Sequence, residues 1–524
     1  MVQMVTVDGR EIDLDKFRLR NFVNRLNELG ELEVHDEPVA LADLSHAIEA
    51  NPKAKLFKNA GPEGYEIAAA TAGSRKRLAA AFGVDPSQVI TEYARRMENP
   101  QPVVEIPSAQ APVHQVVKKG DEIDLTKLPF HPQHEFDGGT YISSGIDYCV
   151  DPATGRANIG CRRLMLRSKN TMRSNLTANS DLKKIYKACV ERKEKLPLSF
   201  VVGSHPLDFM AATQRRPGNE NELVATLRGE PVPMVRGLTN NILVPADAEM
   251  VLEGYFDELG YREMEGPYGE MWGYYGPMHI DPVFTVTAIT MRKDALFQTV
   301  LHSSHVLARG DSPNMSSLGV EMAIWRHLRK AGIEPAAVAM SPGLRLHGRV
   351  ALKRGKPGEA REVIKILHKE TPLKHVTVVD DDVDPTQGDA VEWAMCTRFR
   401  ADKDLISQGG FEGAYMDPTN FENEGGTTKL GFDATAPYGH EHQVDYWRPH
   451  APHLTGTPRY QTVRQALEAG PLFFTQLMDA VGSRDGREIS MALYALREEG
   501  VLDRLPNGEW TLGKTGTAEG KSAH

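Results

Sequence analysis

The chain has 524 residues, 40% of them hydrophobic and 25% charged, with a formal net charge of −10. That length exceeds one ordinary hydrophobic core and points to roughly two to four domains, and the acidic balance argues against a general nucleic-acid binder. No apolar run of about 18 residues is present to span a membrane, and the start, MVQMVTVDGREIDLDKF, has acids where a signal peptide needs an apolar centre.

In chain order, DLDKFRLRNFVNRLNELGEL places Phe17, Val23, Leu26 and Leu29 at helical spacing with a stop at Gly30. KLFKNA is read as a short strand and GSRKRLAAAFGV as a helix closed by Gly83, so the first segment, 1–115, is α/β. The proline-rich NPQPVVEIPSAQAPVHQVV is expected to be a connector. Across 116–315 short β-branched and aromatic runs such as TYISSGIDYCV and PVFTVTAITM alternate with turns, which suits an antiparallel sheet or small barrel. A polar helix, DLKKIYKACVERKEKL, interrupts it. Residues 316–333 are expected to be a linking helix with Val320, Met322, Ile324, Trp325 and Leu328 on its apolar side. A second α/β domain follows over 334–445, where VTVVDDDVD is a strand and AVEWAMCTRF a helix. Residues 457–512 give three helices and an Asn-Gly hairpin, a winged-helix pattern, and 513–524 is expected to be a frayed tail. Cys149, Cys161, Cys189 and Cys396 form no C-x-x-C and are expected to be buried free thiols in a reducing cytoplasm.

The chemistry-bearing stretch is EGPYGEMWGYYG, which pins Glu265 and Glu270 five apart on backbone that cannot be helical. Two such acids beside bulky apolar residues must be paired, protonated or exposed. ANIGCRRLMLRS offers the cation. By strict alternation Arg162 shares a face with Asn158; a bulge at Gly160 would make it Arg163, and spacing leaves both open. Glu220 and Glu222 open a helix, where they would meet its dipole; the other reading joins Asn158, Asp181 and Glu220 as oxygen ligands of Mg²⁺ or Mn²⁺. The pairs His302/His305 and His440/His442 lack a third zinc ligand, and no P-loop, G-x-S-x-G or Rossmann fingerprint occurs.

Taken in order, FDGGTYISSGI, NIGCRRLML, LRGEPVPMVRG, VPADAEMVLEG, EGPYGEMWGYY and VVDDDVDP resemble the UbiD family of prenylated-flavin-dependent decarboxylases over roughly residues 10 to 450. The resemblance implies an N-terminal α/β part, a central split β-barrel like that of flavin reductases, and a C-terminal α/β oligomerisation domain. It implies prenylated FMN supplied by a flavin prenyltransferase, Mn²⁺ or Mg²⁺, often K⁺, and a homodimer or hexamer. It assigns catalysis to Arg163, Glu265 and Glu270 and the metal to Asn158, Asp181 and Glu220. It places cofactor binding at Asn158, Ile159, Gly160, Cys161, Arg163, Met271 and Lys374. Asp181 stands where relatives carry His or Met. The reaction implied is reversible, non-oxidative loss of CO2 from an aromatic, heteroaromatic or α,β-unsaturated acid, with Trp272, Tyr274 or Tyr275 available to stack on a flat ring. The rival expectations are a winged-helix regulatory or nucleic-acid-binding protein, whose recognition helix REISMALYALREEG has no excess of bases, and a non-catalytic subunit of a decarboxylase complex.

Overall fold

The computed structural model describes residues 4–7, 9–215, 218–341, 346–354, 356–413, 417–420, 426–440 and 444–513. The alternating β-branched runs form a closed antiparallel barrel. Its strands, in order round the barrel, are Thr171–Ser174, Ala157–Leu166, Tyr141–Val150, Leu196–Val202, Met250–Phe256 and Val283–Met291, and the last pairs back onto the first. Closure removes the exposed edges that an open sheet would leave. The interior is filled by aromatic and aliphatic side chains, among them Phe200 and Phe284, whose rings meet edge to face at 4.8 Å. Each such ring contributes about 1.5–3 kcal/mol by leaving water.

The proline-rich connector is not all loop. Val103–Glu105 pairs in parallel with Val232–Arg236, and Val116–Lys119 lies antiparallel on Val283–Met291. Both are short edge strands, where proline nearby is tolerated. The N-terminal sheet runs Leu32–His35, Ala54–Ala60, Tyr65–Ala69 and then Phe297–Thr299, a strand from just beyond the barrel. The N-terminal segment and the barrel are thus tied by backbone pairing as well as by the chain.

The linking helix spans Asp311–Lys330 and buries Val320, Met322, Ile324 and Leu328 as its periodicity requires. It leads to a five-stranded sheet in the order Ala337–Met340, His347–Leu352, His375–Asp380, Thr427–Asp433 and Leu405–Phe411. Helices Val463–Glu468, Phe474–Val481 and Arg487–Glu498 and the hairpin Leu502–Arg504/Trp510–Leu512 enclose a core of their own. Cys149 and Cys189 are buried and Cys161 partly so, but Cys396 is exposed: it falls on the outer face of Gly388–Thr397, whose inward positions are Ala390, Val391 and Ala394. His440 falls among the described residues and His442 outside them. No described helix is long and apolar enough to cross a membrane.

Candidate active site

The turn that carries the two acids is held by the segment before the first long barrel strand. Asp137 accepts hydrogen bonds from the backbone N–H of Gln133 (2.9 Å), His134 (3.0 Å) and Gly269 (3.4 Å). Gly138 N donates to the Pro267 carbonyl at 2.8 Å. A Cβ at Gly138 would stand 2.0 Å from the Gly266 carbonyl oxygen, and one at Gly139 would stand 2.6 Å from Met165 Cε. Gly138 of FDGGTY is therefore demanded by close backbone approach, whereas Gly139 meets only the flexible end of Met165. Beyond Glu265 the backbone tightens again, with Gly273 N donating to the Glu270 carbonyl at 3.0 Å.

This turn delivers both carboxylates to one guanidinium. Arg163 Nε donates to Glu265 Oε1 and its Nη2 to Glu265 Oε2, each at 2.8 Å, and its Nη1 donates to Glu270 Oε1. The guanidinium lies 4.6 Å from the centre of the Tyr268 ring, and Tyr268 in turn donates to Gln133 Oε1. Burial alone would lower the pKa of Arg163, but the Glu265 hydrogen bonds and the charges of Glu270 and Glu265 outweigh it and raise it. The Glu265 side chain is fully enclosed, whereas that of Glu270 is 26% exposed. One acid is enclosed and the other reaches solvent.

Alternation along Ala157–Leu166 decides between the two arginines. Asn158 and Arg162 both turn to Asp147 on the neighbouring strand: Asn158 Nδ2 donates to Asp147 Oδ2 at 3.5 Å, and Arg162 Nε lies 3.3 Å from Asp147 Oδ1 without the alignment of a hydrogen bond. Arg163 turns to the glutamates. There is no bulge at Gly160; the register shift is on the partner strand, between Ile142 and Gly145. The Asn158–Arg162 pairing expected from strict alternation is correct, and the arginine that meets the acids is the other one.

A cavity of about 160 Å³ opens beside Arg163 and Glu270, walled by Cys161, Phe209, Met271 and Met315, with Asn175 and His302 as polar members. Cys161 donates Sγ–H to the Phe209 carbonyl at 3.7 Å, and burial pushes its pKa up to about 12, so it is an inert wall. His302 is half-buried and held by hydrogen bonds at Nε2 to the Ser143 carbonyl (3.0 Å) and at Nδ1 with Ser312 Oγ (2.6 Å), while His305 is exposed beside Glu49. The HSSH spacing thus splits between two environments. Tyr274 and Tyr275 line a different cleft, with Glu49, His134 and His305, and are exposed. They stack on nothing in the Arg163 cavity.

Three residues of the site carry little sequence signal. His279 Nε2 takes the Asn175 amide at 2.9 Å and lies 3.4 Å from both Arg163 Nη2 and Glu265 Oε2; its Nδ1 is 2.7 Å from Asp281 Oδ2. Asp281 accepts the Leu176 N–H at 2.8 Å. Glu265, His279 and Asp281 have ligand atoms within 4.8 Å of one another, but Arg163 already supplies the positive charge there. Asp147 is the third, a lone acid inside the apolar run YISSGIDYCV, and an acid in such a run is itself a sign of a paired, buried group. His279 and Asp281 sit at alternate positions of one strand, a weak signal.

Of the expected metal ligands, Asn158 and Glu220 come together. Glu220 is at the start of helix Asn221–Arg228, yet its side chain caps nothing; Oε2 accepts the Ile159 N–H at 3.1 Å. Asp181 opens the helix Asp181–Glu191 and pairs with Lys184 of that helix at 3.0 Å. Burial pushes Asp147 up to about 6, Arg162 opposing and Glu220 adding to the rise, and its Oδ1 has no hydrogen-bond partner. Asp147, Asn158 and Glu220 are thus hard oxygen donors with surplus negative charge, a set that fits Mn²⁺ or Mg²⁺. A Cβ at Gly160 would lie 2.9 Å from Asp147 Oδ1, so glycine keeps this cluster close to the strand. Lys374 is in the C-terminal domain, where its Nζ donates to Asp417 (2.6 Å) and Thr419 (2.7 Å).

Comparison with known proteins agrees along most of the chain. Residues 23–97, 104–305 and 314–434 match the N-terminal, Rift-related and C-terminal domains of 3-octaprenyl-4-hydroxybenzoate carboxy-lyase, UbiD. An anhydromevalonate phosphate decarboxylase of Methanosarcina mazei is 32% identical over 79% of this chain and 95% of its own. The UbiD-class enzyme HmfF of Pelotomaculum thermopropionicum, in complex with FMN, is 28% identical with a TM-score of 0.76, covering 83% of this chain and 97% of that one. An evolved dimeric form of HmfF in complex with prFMN is 26% identical with a TM-score of 0.74, over 83% and 97%.

Proposed function

The chain belongs to the UbiD family of carboxy-lyases and is a decarboxylase, and we propose that it removes CO2 from a phosphorylated, non-aromatic carboxylic acid with prenylated FMN and a divalent metal. The observation that carries the reaction is the fork of Glu265 on Arg163 with Glu270 on the one remaining side, at the mouth of a cavity. The set is complete, which favours an enzyme over a non-catalytic subunit. The substrate class rests on the relative from Methanosarcina mazei; Tyr274 and Tyr275 are exposed and line a different cleft.

Asn158 and Glu220, with Asp147 behind Asn158, would hold the metal. Cys161, Arg163 and Met271 would face the cofactor ring. Lys374 would contact the cofactor phosphate if its domain closes on the barrel. Prenylated FMN, when bound, supplies the electron sink for the bond that breaks. Arg163 binds the substrate carboxylate on its Nη1 side, in place of Glu270, through charge-assisted hydrogen bonds. The bond to the carboxylate carbon breaks, and its electron pair stays on the substrate. Glu270, released from Arg163, takes a proton from solvent on its exposed side and delivers it to that carbon as CO2 departs. Glu265 never leaves Arg163; it fixes the plane of the guanidinium. His279, held by Asn175, supports Glu265. We infer a homo-oligomer, as in the dimeric HmfF.

The test is CO2 release by protein co-expressed with a flavin prenyltransferase. Anhydromevalonate phosphate should be turned over, and a panel of aromatic and heteroaromatic acids should not. Turnover confined to the aromatic panel would overturn the substrate assignment and leave the chemistry standing.

A further inference from the structure

Most buried arginines among the described residues have carboxylate partners. Arg163 pairs with Glu265, Arg228 with Asp208 and Asp247, Arg398 with Asp380 and Asp382, and Arg18 with Glu249, all at 3.0 Å or closer. Arg349, on the second strand of the C-terminal sheet, departs from this, as does Arg77, whose Nη1 is 3.8 Å from Glu31 and whose Nε and Nη2 have no hydrogen-bond partner among the described residues. Arg349 is 9% exposed, and among the described residues its guanidinium meets only neutral oxygens: the Ser341 hydroxyl at 3.1 Å and the Pro385 carbonyl at 3.4 Å. Its Nε has no partner. A buried cation without a counter-ion is costly, and burial does lower the pKa of this group.

Ser341, which Arg349 holds, is also part of the wall of a cavity of about 100 Å³ where three parts of the fold meet. Arg75 opens the N-terminal helix Arg75–Phe82, Asn314 and Ser317 come from the linking helix, and Ser341 and Thr386 come from the C-terminal domain. Ser317 is 8% exposed and its Oγ has no hydrogen-bond partner among the described residues. The carboxylate here, Glu321, is already committed to Arg75 (2.5 Å) and to the Met340 N–H (2.8 Å). The space is that of about three water molecules, enough for a phosphate- or sulfate-sized ion.

We propose that this interdomain cavity is a binding site for a small oxyanion, held by the hydroxyls of Ser317 and Ser341, with Arg349 as the charge behind them and the Arg75–Glu321 pair on the wall. The occupant clamps the C-terminal domain to the linking helix. That helix presents Ser312, Met315 and Ser316 to the Arg163 cavity, so the clamp acts on the opposite side of the same turns and is separate from the catalytic site.

The probe is radiolabelled inorganic phosphate in equilibrium dialysis against the cofactor-loaded full chain, where the Arg349→Gln and Ser317→Ala variants distinguish this site from a substrate-phosphate subsite in the catalytic cavity. One saturable site per chain is expected, competed by sulfate and not by chloride at equal ionic strength. Arg349→Gln should lose it, and Ser317→Ala should weaken it about tenfold, the effect of one lost charge-assisted hydrogen bond. Ser317→Ala carries the test if Arg349→Gln fails to fold. No saturable binding, or binding unchanged in the folded variants, would overturn the site.

Discussion

Arg163 keeps its charge where water cannot stabilise it, and it does so because Glu265 is equally enclosed and bonded to it twice. Removing the charge of one partner of such a buried pair costs about 3–5 kcal/mol. Glu265→Gln preserves the shape and one acceptor, so the chain should fold and hold cofactor. Its kcat/KM should fall by about 100-fold or more, the kinetic equivalent of about 3 kcal/mol; an unchanged kcat/KM would mean that Glu265 does not set the plane of the guanidinium. The sequence makes Glu265 and Glu270 visible because glycine and proline around them forbid regular structure. It leaves Arg162 and Arg163 undecided because which face of a strand meets the acids depends on a fold not yet built. His279 and Asp147 stay hidden for a related reason: each acts through a neighbour more than a hundred residues or one strand away, and nothing in local spacing records that.

At the scale of elements, the linking helix shows what periodicity reads and what it misses. The apolar stripe from Val320 to Leu328 is plain, but the helix begins earlier, at Asp311, ahead of any stripe. Its start is set by tertiary contact. Asp311 accepts the N–H of Ala72 at 2.6 Å and of Leu301 at 2.8 Å, joining the N-terminal domain, the exit from the barrel and the helix. Burial pushes its carboxyl up to about 6, against those two hydrogen bonds and the charge of Arg77. A folded-state pKa above the unfolded value of 3.8 means that the folded chain binds the extra proton between pH 4 and 6. This group therefore favours folding at low pH, and that contribution, roughly 3 kcal/mol at 1.4 kcal/mol per pH unit, is lost as pH rises through 6. Thermal midpoints of the wild type and Asp311→Asn should converge or cross over this window; parallel profiles would contradict it. The connector at 99–117 errs the other way. Its prolines suppress the expectation of strands, yet edge pairing with Val232–Arg236 and Val283–Met291 orders two short ones.

For the molecule as a whole, the order of α/β segment, barrel, linking helix and second α/β domain follows from changes of texture along the chain. Barrel closure does not, because it depends on Val283–Met291 returning to Thr171–Ser174 across more than a hundred residues. The C-terminal helices and hairpin have a core of their own, and their stretch 457–513 carries six arginines and no lysine against eight acids. A chain ending at 456 should keep cofactor and decarboxylase activity, and the full chain should give no gel shift with random duplex DNA at low salt. Loss of activity on truncation would assign the module a part in the catalytic cleft.

The proposed reaction depends on Glu270 as the proton donor to a carbon whose carboxylate was held by Arg163. The measurement that reaches it most directly is CO2 release by cofactor-loaded Glu270→Gln beside the wild type, with bound cofactor quantified by its absorption spectrum in both. The variant should bind cofactor in full and turn over about 10²–10⁴-fold more slowly; CO2 release at the native rate by a fully loaded variant would contradict it.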